Sequence, residues 1–172
     1  MSWRFFLVGA VTLALSLPLR AAADGFAMKD FTQLDPDLSA FQSGAFEARS
    51  SEAARLTIIC TDCSDQTVID VQLGRSTDGT EDRYRSGETT IEMMRGICKS
   101  RNDSCELEAT EVGAAVGWVT SYEAFGGWGS TTVLFLDGDL LTIRSIAAGK
   151  DQAVANGSAA RDTVAPLIVG GE

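Results

Sequence analysis

Between Thr67 and Leu73 the chain alternates strictly. Ile69, Val71 and Leu73 fall on one side, and Val68, Asp70 and Gln72 on the other. A period of two predicts a half-buried strand. The short run Leu56-Thr57-Ile58-Ile59 predicts another strand before it, and Cys60-Thr61-Asp62-Cys63-Ser64-Asp65 joins the two. Residues 75–88 are almost entirely polar, with Tyr84 the exception, and read as a loop. A helix should open at Thr89, with Glu92 three residues on as its capping-box partner. Ile91, Met94 and Cys98 recur at helical spacing, joined by Ile97, and the pattern fades over residues 100–103.

A second β region begins at Cys105. Residues 105–112 form one strand and residues 115–122 the next, with Val116, Trp118 and Tyr122 on a common face. Residues 131–136 are apolar on both faces through Val133, Leu134, Phe135 and Leu136, as an interior strand requires. Asp137-Gly138 predicts a tight hairpin, after which residues 140–146 return with Leu141 and Ile143 toward the core. Residues 150–164 predict a helix with a small-residue stripe of Ala153, Gly157, Ala160 and Val164. Asn156-Gly157 weakens that pattern, and Pro166 should end or kink it. The element order is ββ-α-ββββ-α. It predicts an α+β two-layer domain: a mainly antiparallel sheet of about six strands, with two helices on one face.

Residues 24–54 lack a strong period but carry Phe26, Phe31, Phe41 and Phe46. They read as a partly ordered arm, leaving a single domain over residues 55–172. Docking of its aromatics on its own domain is the simpler reading, because termini are ordered mainly when tied down. Docking on a partner is the other.

The first residues change the picture of where the domain works. Met1-Ser2-Trp3-Arg4 is followed by fifteen residues without charge, Phe5 to Leu19, then Arg20 and Ala21-Ala22-Ala23 before Asp24. A basic start, a short apolar stretch and small residues at the cleavage positions form a signal peptide. The stretch is shorter than the roughly 20 residues a spanning helix needs. Cleavage after Ala23 is expected, giving a periplasmic or secreted protein with no membrane attachment. Removing Arg4 and Arg20 takes the formal net charge from −10 to −12. Such a field disfavours nucleic acids and anionic lipid surfaces and favours a cationic partner.

The chain contains no histidine. That excludes Ser-His-Asp and Cys-His nucleophilic sites, imidazole metal sites and imidazole acid–base work. The carboxylates show no catalytic arrangement. Asp78, Thr80 and Asp82 resemble part of a calcium loop without its glycine or distal glutamate. Phe125-Gly126-Gly127-Trp128-Gly129-Ser130 lacks the lysine and the following helix of a phosphate loop. No catalytic residue, resident metal or cofactor is predicted.

Four cysteines remain: Cys60, Cys63, Cys98 and Cys105. In an oxidising compartment an even set reads as disulfides. The reversal between residues 98 and 105 can bring that pair together. Cys60 and Cys63 can pair only if Thr61-Asp62 turns, since the extended span is roughly 10 Å. The expected pairing is therefore 60–63 with 98–105, and crossed pairing is the alternative. A redox or thiolate-metal reading of Cys60 and Cys63 competes. Against it, a strand rather than a helix follows, and Asp62 and Asp65 would raise the thiol pKa.

Tyr122, Phe125 and Trp128 should cluster at one end of the sheet on a glycine-rich loop, a place where contact residues are common. With Tyr84 in the polar loop they are the candidate partner-contact residues. The expected function is that of an exported, non-catalytic accessory or binding protein that contacts another protein. The alternative is a thiol redox or metal-handling protein acting through Cys60 and Cys63.

Overall fold

The computed structural model describes residues 25–42, 44–124 and 126–170. The leader, its cleavage site and Phe125 lie outside the described residues. Seven strands form one antiparallel sheet: β1 (Phe46–Glu52), β2 (Arg55–Cys60), β3 (Val68–Arg75), β4 (Glu106–Val112), β5 (Ala115–Ala124), β6 (Gly127–Leu136) and β7 (Asp139–Ala147). Their spatial order is β1-β2-β3-β7-β6-β5-β4. Among the described residues four α-helices accompany it: α1 (Thr80–Arg85), α2 (Ile91–Arg101), α3 (Lys150–Thr163) and α4 (Ala165–Val169). The α+β class and the antiparallel sheet agree with the alternation in the sequence.

The core forms where the period-two residues converge. Leu56, Ile58, Ile69, Val71, Leu134, Leu141 and Ile143 share one face and meet Ala160, Val164 and Ile168 from α3 and α4. Burying each large side chain is worth about 1.5–3 kcal/mol. The small-residue stripe lets α3 lie close: a Cβ at Gly157 would fall 2.8 Å from Ser130 Oγ. Pro166 stands in the first turn of α4, so the chain breaks after α3 and restarts as a short helix.

Helix placement corrects the expectation of two helices on one face. α3 and α4 cover the core face. α2 packs on the opposite face, where Cys98 and Met94 meet Leu107, Trp118 and Tyr122. The parity of β5 decides this, because Trp118 and Tyr122 point away from α3.

Other boundaries also differ. The sheet starts at Phe46, before Arg55, so the end of the expected arm is edge strand β1. Phe26, Phe31 and Phe41 are buried in the core. The main chain of the arm bonds to α4, through Ala27 N–H to Val169 O and Met28 N–H to Ile168 O. The cap of α2 is Thr90 rather than Thr89, with its hydroxyl accepting from Met93 N–H. Thr89 N–H instead donates to Arg83 O, and Ile97 turns outward, 52% exposed. β6 already begins at Gly127, so most of the expected glycine-rich loop is strand.

Candidate functional site: the half-covered sheet face

The two disulfides join Cys60 to Cys63 and Cys98 to Cys105. The first closes the turn between β2 and β3 and leaves both cysteines half-buried. Cys63 N–H donates to Cys60 Sγ at 3.1 Å, and Asp62 Oδ1 accepts Ala45 N–H at 2.6 Å. Cys60, Asp62 and Cys63 bring two sulfurs and a carboxylate oxygen within 4.8 Å of one another. The sulfurs are bonded to each other, so thiolates able to grip a soft metal exist there only after reduction. The second bridge is buried between the end of α2 and the start of β4.

The polar segment 75–88 is held tightly. Within it α1 turns Glu81 inward, 7% exposed. Glu81 Oε1 accepts Asp137 N–H at 3.0 Å and Oε2 accepts Gly138 N–H at 2.8 Å. Both residues have positive φ, 50° and 82°, as the two-residue hairpin between β6 and β7 requires. Burial pushes the Glu81 pKa up, but these two donors and Arg85, 2.8 Å away, outweigh it and hold the carboxyl below its ordinary value. Tyr84 donates its hydroxyl proton to Gly117 O at 3.0 Å and packs edge-on against Trp118. Its pKa is raised, first by burial and then by the charge of Glu111. Both side chains thus brace the end of the sheet.

Asp139, 3% exposed, is the other buried carboxylate among the described residues. It accepts Phe26 N–H at 2.7 Å, pairs with Lys29, and lies 3.2 Å from Arg75 Nη1. Its oxygens tie the arm to the sheet.

The expected aromatic cluster is divided by the sheet. Glu123 pairs with Trp128 and Tyr122 with Gly129 in the β5–β6 register. Trp128 therefore stands on the α3 face, half-buried, with Lys150 Nζ 5.3 Å from its ring centroid. Tyr122 stands on the α2 face and lies flat over Gly129, where a Cβ would meet the ring at 2.9 Å. Its hydroxyl is 3.3 Å from Thr131 Oγ1.

The α2 face has cover at one side only. α2 packs over β4, while the β1-β2-β3-β7 half carries Arg49, Arg55, Asp70, Arg144 and Ile146 toward its surface. Beside α2 runs an open groove of about 520 Å3. Trp118, Thr120 and Tyr122 from β5 and Leu107 from β4 make its floor. Met94, Ile97 and the Cys98–Cys105 bridge make its wall. Trp118 is anchored there by Tyr84 and by Phe135, 5.2 Å between ring centroids. Met93 (56% exposed) and Ile97 extend the apolar wall outward, and Ile146 (50%) stands on the same sheet face. In the sequence, the strand face that Trp118 shares with Tyr122 is the signal that could have flagged it, and Ile97, on a helix, carries no such signal.

No protein-family model, curated protein or solved structure gives a significant match to the chain. Among the described residues, no helix is long and apolar enough to cross a membrane.

Proposed function

We propose that this is an exported, non-catalytic accessory domain that binds another protein on the half-covered face of its sheet. The observation that carries the reading is the groove beside α2, floored by Trp118 and Tyr122 and flanked by exposed Met93 and Ile97. Aromatic anchors in a preformed apolar groove supply most of the energy in protein interfaces. A contiguous apolar patch on an otherwise charged domain marks an association surface. The net charge, −10 for the full chain and −12 without the leader's Arg4 and Arg20, favours a partner presenting a short apolar segment within a basic surround. The leader sequence and the two disulfides support export to an oxidising compartment.

The reading also accounts for how the polar chemistry is used. The absence of histidine removes the commonest acid–base group. Among the described residues the two buried carboxylates, Glu81 and Asp139, are occupied by main-chain donors and basic side chains.

The test places a photo-crosslinking side chain at Arg101, which is exposed and lines the same groove, in the protein expressed with its own leader. A defined adduct is expected in the extracytoplasmic fraction. Ile97→Asp and Met93→Asp should abolish capture of the same partner with unchanged thermal stability, because both side chains are exposed. Undiminished capture by both variants, or accumulation of the protein with residues 1–23 intact inside the cell, overturns the proposal.

A further inference from the structure

The two edges of the sheet are treated differently. At the β4 edge, Arg95 Nε donates to Leu107 O at 2.8 Å, so a side chain from α2 occupies the outward carbonyl. At the β1 edge, Thr61 N–H bonds Ala45 O, whereas Cys60 N–H bonds Thr67 O on the β3 side. Strand groups alternate in direction. With Glu47 opposite Ile59 and Arg49 opposite Thr57, the main chain of Glu47 and Arg49 faces β2, and that of Phe46 and Ala48 faces outward. Among the described residues, nothing bonds those outward groups.

We infer that β1 pairs antiparallel with β1 of a second copy, about a twofold axis at Ala48. In that register Ala48 meets Ala48, and Phe46 meets Ser50 of the second copy. Glu47 meets Arg49 of the second copy, and Arg49 meets its Glu47. The two charged side chains are exposed on the α2 face and at present pair with each other, 2.7 Å apart. In the dimer each exchanges its neighbour for the equivalent charge across the strand pair. Opposite charges directly across a strand pair stabilise it and like charges destabilise it. The regular stretch Phe46–Arg49 is thus self-complementary in its outward main-chain groups and its charges, and the bulge between Arg49 and Glu52 confines the ladder to it. Pairing joins two sheets into one and covers the open edge, a common use of such edges. It leaves the α2 groove free at the far side of each sheet, so it stands independently of the partner-binding proposal.

Sedimentation equilibrium at about 0.15 M salt tests this, with long-range repulsion between the acidic copies screened. The wild-type mass should double with rising concentration. Glu47→Arg alone sets two arginines opposite each other at both crossings, and Arg49→Glu alone sets two glutamates there. Each should raise the dissociation constant about tenfold or more. The double variant Glu47→Arg/Arg49→Glu restores complementarity and should dimerise again. Mixing the two single variants should give a heterodimer that neither forms with itself. Ala48→Pro removes only an outward N–H, so it should abolish dimers while leaving the circular dichroism intact. A wild type monomeric up to about 1 mM overturns the inference. So do single variants that dimerise like the wild type, or a mixture that fails to associate.

Discussion

Glu81 gives the sharpest test of how the hairpin is held. Glu81→Gln keeps the size of the side chain but offers one acceptor where two are used. The two main-chain donors at Asp137 and Gly138 lie 3.0 and 2.8 Å from different carboxylate oxygens. In the variant one of these N–H groups faces an amide N–H. A hydrogen bond to a charged group contributes about 1.5–3 kcal/mol, and leaving a buried donor unsatisfied costs about 1–3 kcal/mol. The Arg85 ion pair adds little, because the guanidinium is 38% exposed. The expected loss at pH 7 is about 2–3 kcal/mol, or roughly 4–10 °C in Tm for a chain of this size. The pH dependence has a definite sign. The folded-state pKa of Glu81 is lowered, so its contribution is complete above the ordinary glutamate value of about 4.3 and is lost as pH falls through the lower folded value. Urea unfolding at pH 7 and at about pH 3 should show a gap between wild type and variant that narrows with acid. A variant within about 0.5 kcal/mol of wild type at pH 7, or a gap independent of pH, would refute the assigned role.

Further outcomes follow from the same contacts. Trp118→Ala should cost about 3 kcal/mol or more in chemical denaturation, because the ring packs between Tyr84 and Phe135. Trp128→Ala should cost less, because that ring, half-buried like Trp118, has Lys150 beside it rather than two aromatic rings, and equal losses would contradict this placement. Gly129→Ala drives a methyl into the Tyr122 ring and should destabilise by about 1–3 kcal/mol, with a changed tyrosine fluorescence; a neutral result would mean the ring moves freely. Under graded reductant, alkylation with mass mapping should label Cys60 and Cys63 before the buried Cys98 and Cys105, and the reverse order would contradict the burial of the second bridge. Removing the Cys98–Cys105 bridge should cost about 2–3 kcal/mol by urea titration.

What the sequence made legible was local. Ile69, Val71 and Leu73 announced the inward face of β3 because one strand carries the whole signal. Asp137-Gly138 announced the hairpin because both positive-φ positions are adjacent, and the Cys98–Cys105 pairing followed from a short reversal. What stayed hidden depends on register and parity. Tyr122 and Trp128 are six residues apart and look like neighbours. The pairing of Ala124 with Gly127 puts them on opposite faces, and a one-residue shift in pairing reverses such an assignment. β1 escaped because Phe46-Glu47-Ala48-Arg49-Ser50-Ser51-Glu52 buries only part of one side, as an edge strand can. Glu81 looked like one more charge in a polar loop, since its donors come from residues more than fifty positions away. Ile97 lies about 100° around α2 from Cys98, off the stripe of Ile91, Met94 and Cys98, so it stays 52% exposed.

The use of side chains across the molecule bears on what kind of protein this is. Among the described residues the buried carboxylates hold main chain: Glu81 is bound to the turn that ends β6, and Asp139 to the arm that closes the core. The α3 face is sealed by the arm and two helices. The α2 face keeps its apolar groove open, and β1 keeps its outward main chain unbonded among the described residues. Apolar grooves and free strand edges gain free energy when another chain covers them, through burial in the first case and ladder hydrogen bonds in the second. The two surfaces lie at opposite sides of the sheet, so a dimer formed through β1 would carry two α2 grooves facing outward. A partner with two or more docking segments would then bind with an avidity that a monomeric variant such as Ala48→Pro loses, although each of its grooves is intact.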